Sequence, residues 1–206
     1  MGDIFMMYAR ITLQNALTKI GDEGVRKVLS SFSSFRNPDT ESYLKDKAID
    51  HAKHGITQTH LVFANEADNK SLLGYFTIMQ KSIYIDAAKL SINSKKRVLE
   101  RATYDNDRNR YKVNATLIVQ FSKNFTNGVN KYISGDELLD ISLDVISEVH
   151  TLTGGNVVYL ECYDIADVKD IYKRNGFIIY GSRPLDDDEK HEYSGKTMIQ
   201  MLRIVE

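Results

Sequence analysis

The sequence predicts a single α/β domain, and three observations support this fold class. The chain has 206 residues, of which 42% are hydrophobic and 27% are charged, so it can form one continuous core without disulfides. Its second half alternates strand-like and helix-like segments in the order β-α-β-α-β-β. Glycines number 12 and prolines 2, which excludes collagen-like and low-complexity structure. We therefore predict one domain over residues 1–206.

Charge and cysteine usage limit the partners and the compartment. Lys and Arg number 27 and Asp and Glu 28, so the net charge of −1 gives no general support for polyanion binding. The single cysteine, Cys162, excludes an internal disulfide and indicates a reducing compartment. The N-terminal segment has no signal-peptide layout, and no apolar run reaches the ~20 residues of a membrane span. We expect a cytoplasmic protein with no membrane partner.

The first half of the chain predicts helices followed by a strand pair. Residues 10–33 have the pattern of a strand and then a helix that begins at Asp22. The next helix has its N-cap at Asp39 or Thr40 and ends at Gly55. Two paired strands and a charged helix complete this half: Thr59–Ala64, Leu72–Met79 and residues 91–102.

The second half supplies the regular alternation. Val113–Phe121 predicts a buried strand, and a broad apolar face from Leu138 to Val149 predicts a helix that ends near Gly154. Three strands and one short helix follow. They are strand Val157–Tyr163, helix Ile165–Asn175, and strands Phe177–Tyr180 and Thr197–Val205.

A helix start between Gln120 and Leu139 is the first candidate binding site. A polar loop leads from the buried strand to Ser134 and Glu137, which form a capping-box pattern. A helix N-terminus after a strand presents free backbone N–H groups and the positive end of the helix dipole, an arrangement that binds phosphate. An ordinary capped helix is the alternative, because Asp136 and Glu137 put negative charge beside the anion.

The second candidate site is the helix in DIADVKDIYKRNGF. Asp164 can cap its start. Asn175 and Gly176 can end it, with Gly176 in the left-handed conformation and Phe177 folded back onto the last turn. Capping therefore explains both ends of this helix, but it gives no reason for a tyrosine at position 172.

Together these segments resemble the GNAT superfamily of N-acetyltransferases. The resemblance rests on TLIVQF, ISGDELL, VVYLEC and IYKRNGF, and it covers about residues 57–205 and, more weakly, the helix at 40–54. In that family the pyrophosphate of acetyl-CoA lies on the loop and helix N-terminus after the fourth strand, in a pattern R/Q-x-x-G-x-G/A. A helix ending Y-x-x-x-G-F follows the fifth strand. Residues 172–177 match the second pattern fully, whereas residues 130–135 keep only the last glycine of the first pattern.

The resemblance implies a GNAT-like fold, a mixed and mostly antiparallel central sheet flanked by helices, with a splayed parallel strand pair at the CoA site. It divides the chain into an N-terminal helical region, about 1–56, and a CoA-binding core, about 57–206. Acetyl-CoA is the implied cosubstrate. Eight residues are implied to bind it: Phe121, Ser122, Lys123, Tyr132, Ile133, Ser134, Gly135 and Asp136. No metal is expected, since His51 and His54 lack a third ligand nearby in the sequence.

The implied reaction is direct transfer of the acetyl group to a primary amine, without a covalent enzyme intermediate. Tyr172 is the implied general acid that protonates the departing CoA thiolate; a tyrosine packed between helix and sheet is the alternative. Glu161 is the implied general base, because it lies on the strand before the Tyr172 helix; a solvated carboxylate is the alternative. Strand alternation places Cys162 on an apolar face, which predicts a core residue rather than a nucleophile.

The acceptor stays open at this point. We expect a small-molecule or protein amine; a homodimer stays open, and near-neutral charge disfavours nucleic acid. However, TQTHLVF and LLGYFTI are similar to a branch of the superfamily that includes tRNA-acetylating toxins. The alternatives are therefore a catalytically silent acyl-CoA-binding or partner-binding module, and a toxin-like enzyme acting on aminoacyl-tRNA.

Two charged segments are predicted to lie on the surface. Asp186–Glu189 predicts a solvated turn. Lys95–Arg97 with Arg101 predicts a solvated helix face that could touch RNA or the 3′-phosphate of CoA.

Overall fold

A computed structural model describes residues 8–64, 71–86, 88, 90–190 and 197–205. Its strands are β1 (Tyr8–Thr12), β2 (Gln58–Ala64), β3 (Leu72–Ile85), β4 (Thr103–Asp105), β5 (Arg110–Lys123), β6 (Val157–Tyr163), β7 (Ile178–Pro184) and β8 (Thr197–Ile204). They form one sheet in the order β1-β2-β3-β5-β6-β8-β7, and β4 pairs with β5. β5 and β6 are parallel from Thr116–Val158 to Ile118–Leu160, whereas β1–β2, β2–β3, β4–β5, β6–β8 and β7–β8 are antiparallel. The predicted mixed, mostly antiparallel sheet is confirmed; the separation of the parallel strands at a CoA site stays a prediction.

The described residues form six α-helices: α1 (Leu13–Leu29), α2 (Pro38–Ser42), α3 (Ala48–Lys53), α4 (Ile92–Leu99), α5 (Gly135–Thr153) and α6 (Ala166–Arg174). A π-helical turn, Tyr43–Lys47, joins α2 to α3, and 3-10 turns cover Thr126–Tyr132 and Asp187–Glu189. The β-α-β-α-β-β order of the second half is confirmed. In the part of the chain that the structure describes, no helix is long and apolar enough to cross a membrane.

The first helix begins earlier than predicted. α1 starts at Leu13 rather than at Asp22, because Thr12 caps it by accepting a hydrogen bond from the Asn15 N–H at 3.2 Å. The backbone leaves the helical conformation at Gly21, where φ is 66°. Asp22 therefore begins only the second part of α1.

The second helix also starts before its predicted N-cap. α2 begins at Pro38, and Asn37, rather than Asp39 or Thr40, occupies the N-cap position, without a side-chain cap bond. Proline suits the first helical position because its φ is that of a helix and its missing N–H would have no partner there. The predicted helix end is confirmed, since Gly55 follows α3 with a φ of 66°.

The chain divides into two compact units, which we describe separately. The first unit comprises residues 1–79 and 119–142. In its described part, side chains from α1, the helices between residues 38 and 53, β2 and β3 form one hydrophobic core. Phe32 packs edge-on against Tyr75, with 5.2 Å between ring centroids, and the Tyr75 hydroxyl donates to the Thr40 carbonyl. The N-terminal region thus contributes a strand, β1, as well as helices, while the single-domain organisation stays a prediction.

Gly74 on β3 permits a close approach within this unit. A Cβ at this position would lie 2.9 Å from the carbonyl oxygen of Ser122 and 3.0 Å from a methyl group of Leu138. Both distances are shorter than ordinary van der Waals contacts. A side chain at position 74 would therefore push β3 away from the end of β5.

The second unit comprises residues 80–118 and 143–206. Its core is formed by apolar side chains of β3, α4, β5, β6, β7 and β8. β3 continues to Ile85, six residues beyond its predicted end, because Ile83 and Ile85 alternate with less buried neighbours at the strand period of two. β6 pairs with β8 along its whole length, with Glu161 opposite Gln200.

Candidate active site

The predicted phosphate-binding helix start forms within the first unit, at the N-terminus of α5. The Glu137 N–H donates to Ser134 Oγ at 3.0 Å, and the Ser134 N–H donates to Glu137 Oε2 at 2.7 Å, so the predicted capping box is confirmed. The N–H group of Gly135 lies at the first position of the helix, where the helix supplies no carbonyl acceptor. This end of α5 therefore offers backbone donors and a positive dipole end to an anion.

Lys123, the last residue of β5, holds the loop that precedes this helix. Its ammonium donates to the carbonyl oxygens of Asn130 at 2.8 Å and Ile133 at 2.9 Å. Burial and the nearby Arg36 guanidinium lower the pKa of Lys123, against the opposing charge of Glu137. Two cations thus accompany the loop, and no sequence pattern points to Arg36.

The Glu137 carboxylate already accepts hydrogen bonds within the first unit. The Tyr8 hydroxyl donates to Glu137 Oε1 at 2.8 Å, while the other carboxylate oxygen accepts the Ser134 N–H. Hydrogen bonds from Ser134 are the main cause of the lowered pKa of Glu137. Burial and the Glu137 carboxylate raise the pKa of Tyr8 to about 12. The carboxylate therefore stays ionised at neutral pH and is held between the Ser134 N–H and the Tyr8 hydroxyl.

The other residues predicted to bind the cofactor differ in accessibility. Ser122 is buried, and its hydroxyl lies 2.9 Å from that of Ser34. Ile133 is buried as well, whereas Phe121 is half-buried and Tyr132 is exposed. Tyr132 can therefore present its ring to a ligand, while Ser122 and Ile133 can offer it little beyond their backbone.

Asn124 positions this loop, and sequence reasoning missed it. Its buried side-chain amide donates to the carbonyl oxygens of Ser31 at 3.2 Å and Leu72 at 2.8 Å. Its Oδ1 accepts the N–H groups of Ser33 and Thr126, each at 3.0 Å. The only sequence signal is its place directly after the buried strand, since the partners come from distant segments.

Tyr172 lies within the second unit, in the last turn of α6. Its side chain is buried and packs edge-on against Phe177, with 5.7 Å between ring centroids. The Phe177 N–H donates to the Tyr172 carbonyl at 3.0 Å, and Gly176 has a φ of 81°, so the predicted helix end is confirmed. Burial, and then the nearby Cys162, raise the pKa of Tyr172, which keeps the phenol protonated at neutral pH.

Asp164 does not cap α6, contrary to the sequence prediction. The N-cap position is Ile165, which makes no side-chain cap bond. The Asp164 carboxylate instead forms an ion pair with Lys169, one turn into the helix. The Asp164 carboxylate, which was predicted to accept from the first N–H groups of α6, therefore binds Lys169 instead.

Glu161 on β6 belongs to a hydrogen-bonded network of the second unit. Its carboxylate accepts hydrogen bonds from Arg183 Nε at 2.7 Å, from Gln200 Nε2 at 2.9 Å and from the Tyr159 hydroxyl. Burial raises the pKa of Glu161, but these hydrogen bonds and the charge of Arg183 lower it by more. The side chain is only 18% exposed, so it is held by the protein more than by water. Its role as a base stays a prediction.

Arg183 connects Glu161 to the acidic turn that follows β7. Its two terminal nitrogens donate to the two carboxylate oxygens of Glu189 at 2.7 and 2.6 Å. This hydrogen bonding is the main cause of the raised pKa of Arg183 and of the lowered pKa of Glu189. The turn is thus only partly solvated, since Glu189 is bound by Arg183 whereas Asp187 is fully exposed.

Cys162 is confirmed as a core residue. It is 6% exposed, and its Sγ lies 3.9 Å from the sulfur of Met201. Burial raises the pKa of its thiol to about 12, so the thiolate needed for nucleophilic attack does not form at neutral pH. Among the described residues, no group of three or more His, Cys, Asp or Glu side chains is placed to hold a metal ion.

No protein-family model matches the chain, and no curated protein matches it at a significant level. Several solved structures are similar to it. A bacterial toxin has a TM-score of 0.60 at 13% identity, with 95% of this chain and 90% of that chain covered. AtaT complexed with acetyl-methionyl-tRNAfMet has a TM-score of 0.58 at 14% identity, with 94% of each chain covered. AtaTR bound with AcCoA has a TM-score of 0.53 at 13% identity, with 94% and 91% covered.

These neighbours have the GNAT fold, so the GNAT-like fold predicted from the sequence is confirmed. The similarity extends over nearly the whole chain, beyond the residues 57–205 and 40–54 that the sequence resemblance covered. It shows the fold of this chain, while the roles of the loop before α5 and of Tyr172 stay predictions.

Proposed function

We propose that the chain is an N-acetyltransferase that transfers an acetyl group from acetyl-CoA to a primary amine. The observation that carries the proposal is the N-terminus of α5, which follows β5 and has Lys123 and Arg36 beside its loop. In the resembled family this is where the pyrophosphate of acetyl-CoA binds. Backbone N–H groups at a helix start, a helix dipole and two cations are the chemistry that recognises a pyrophosphate.

Tyr172 is the general acid of this proposal. The nitrogen of the neutral amine attacks the thioester carbonyl, the C–S bond breaks, and the departing CoA thiolate takes the proton of the Tyr172 hydroxyl. The attacking nitrogen releases its surplus proton to water, which leaves the amide. A thiol has a pKa of about 8.5 and a free phenol of about 10. Burial raises the pKa of Tyr172, so its proton is in place before the reaction, and water restores it after product release.

The ammonium form of the acceptor must lose a proton before it attacks, and Glu161 is the candidate base. Its lowered pKa makes it a weak base, because Arg183 and Gln200 already donate to its carboxylate. Glu161→Gln tests the role. If Glu161 is the base, turnover falls more at neutral pH than at pH about 9, where more of the amine is already neutral. If the pH–rate profile of the variant parallels that of the wild type, Glu161 is a member of the Arg183 hydrogen-bonded network and is not the base.

Calorimetric titration with acetyl-CoA and an amine screen that detects free CoA thiol test the proposal as a whole. We expect micromolar binding, about −8 kcal/mol, and turnover with at least one class of amine. Tyr172→Phe keeps the ring and removes the proton, so turnover should fall about 10²–10⁴-fold while acetyl-CoA affinity is retained. Tyr84→Phe is the matched control, because it removes a phenol that the proposal does not use.

Three results would contradict parts of this proposal. Absence of binding at millimolar acetyl-CoA would overturn the function itself. Binding of acetyl-CoA without turnover of any amine would support the alternative function, a catalytically silent acyl-CoA-binding module. A Tyr172→Phe variant that runs at the wild-type rate would remove Tyr172 from the mechanism.

A second candidate acceptor is the α-amino group of an aminoacyl-tRNA. It is favoured by the similarity to AtaT, which was solved with acetyl-methionyl-tRNAfMet. The net charge of −1 opposes it, because a polyanion favours a basic surface. Incubation with charged tRNA and labelled acetyl-CoA decides between the acceptors. Label on the aminoacyl group supports the tRNA substrate, and label confined to free amines or proteins excludes it.

A further inference from the structure

A basic cleft lies entirely within the second unit. Its volume is about 830 Å³, and its lining comes from β3, the start of β5, the end of α5, the start of β6 and the segment around Arg101. Three cationic side chains line it, Lys81, Arg101 and Lys112. In the part of the chain that the structure describes, the lining includes neither Asp nor Glu. The cleft therefore combines positive charge with space for a ligand, although the chain as a whole is nearly neutral.

A hydrogen-bonded chain fixes His150 in this cleft. His150 Nε2 lies 2.9 Å from the hydroxyl of Thr116, which also accepts from Gln80 Nε2 at 2.9 Å. Thr116 is fully buried, so the imidazole is anchored on a rigid partner. When the Thr116 hydroxyl donates to Nε2, the other ring nitrogen, Nδ1, carries the proton.

Two buried nitrogen atoms of the cleft have no hydrogen-bond partner among the residues that the structure describes. They are Nδ1 of His150 and Nε of Arg101. The remaining contacts of Arg101 are a hydrogen bond from Nη1 to the Arg97 carbonyl at 2.7 Å and a 3.4 Å contact with Glu100. Buried polar atoms without partners are rare in folded proteins, and each needs an explanation. Both residues line the cleft, so each has an unused polar atom next to the ligand space.

We propose that this cleft is a binding site for the phosphate group of a nucleotide or of an RNA backbone. Phosphate offers several acceptor oxygens and a charge that three cations can neutralise. The cleft is larger than a phosphate group, so it can also accept part of the attached nucleoside. None of its residues belongs to the proposed pyrophosphate loop at α5 or to the proposed catalytic groups, so the inference does not depend on the proposed function.

The test compares a cleft variant with a charge-matched control. Lys81→Gln with Lys112→Gln removes two exposed cations of the cleft, whose loss should not disturb folding. Lys19→Gln with Lys27→Gln removes two exposed cations of α1 and is the control. The probes are inorganic phosphate, adenosine 3′,5′-bisphosphate and a short single-stranded RNA, each titrated by calorimetry. We expect at least one probe to bind, the cleft variant to weaken its affinity about tenfold or more, and the control to retain it.

The probes also identify the source of the phosphate. Tight binding of the bisphosphate but not of RNA assigns the cleft to a nucleotide. RNA binding whose salt dependence is reduced in the cleft variant assigns it to a phosphate backbone. If no probe binds at millimolar concentration, or if the cleft variant and Arg101→Gln both bind like the wild type, the proposal is overturned. Acetyl-CoA affinity, measured in the same way, reports separately on the proposed function.

Discussion

Asn124 is the side chain whose replacement should disturb the proposed acetyl-CoA loop most directly. It is 3% exposed and makes four hydrogen bonds to the backbone of three segments, which follow α1, begin β3 and begin the 3-10 turn. A buried hydrogen bond contributes about 1 kcal/mol net, and a partner left unsatisfied adds to the loss. We therefore expect Asn124→Ala to lower the free energy of unfolding by about 3–5 kcal/mol.

Asn124→Asp separates the shape of the side chain from its hydrogen bonding. A carboxylate can still accept the N–H groups of Ser33 and Thr126, but its other oxygen then faces the carbonyl oxygens of Ser31 and Leu72. Burial and these carbonyls should raise the pKa of the new carboxyl group in the folded state. A raised folded-state pKa means that stability is lost as pH rises. Relative to the wild type, this variant should therefore be less destabilised at pH about 4 than at pH about 7.

Urea denaturation followed by circular dichroism measures both variants. Asn15→Ala, on the exposed side of α1, is the control and should stay within about 0.5 kcal/mol of the wild type. The denaturant dependence should keep the same slope, so that the midpoint alone reports stability. An Asn124→Ala variant within about 1 kcal/mol of the wild type would refute the reasoning, because the four hydrogen bonds of this buried side chain could not then be holding the loop.

Three further changes probe other parts of the molecule. Gly74→Ala should lower the free energy of unfolding by about 1–3 kcal/mol, because the new Cβ would lie 2.9 Å from the Ser122 carbonyl oxygen; stabilisation in thermal denaturation would contradict this. Arg183→Met should destabilise the protein by about 1–3 kcal/mol at pH 7, since it frees two carboxylates whose pKa it lowers. Lowered carboxylate pKa values add stability only above the unfolded pKa, so the deficit should shrink as pH falls to about 3, and an unchanged deficit would count against the ion pairs. Burial and Arg10 lower the pKa of His60 from 6.5 to about 4, so NMR should show its titration there, and its contribution to stability should decline as pH falls below 6.5.

Elements whose signals are local could be predicted from the sequence. β6 has its predicted bounds, because its short apolar run lies between turn residues that mark both ends of the strand. The capping box of α5 and the left-handed glycine after α6 are each specified within four residues, and both form. The first helix is the instructive exception. Thr12 and Asp22 are both good helix starts, and only the pairing of β1 with β2 fixes the chain so that Thr12 acts as the cap.

The side chains that hold the candidate site could not be predicted, because their partners are distant in the sequence. Asn124 bonds to residues more than fifty and ninety positions away, and Arg36 lies near Lys123 only after folding. No periodicity or cap pattern contains such information. The position of the loop before α5 could therefore be predicted from the sequence, whereas the side chains that hold it could be named only from the structure.

Glu161 shows how such a distant contact bears on mechanism. Alternation along β6 separates it from Cys162, but its surroundings are set by Arg183 on β7 and by Gln200 opposite it on β8. A base must be deprotonated to act, so the rate should rise with pH through the pKa of that base. Arg183→Met removes the cation that lowers the pKa of Glu161, so if Glu161 is the base, the rise should move to higher pH. If Arg183→Met lowers stability but leaves the position of the rise unchanged, Glu161 anchors the network and the proton leaves by another route.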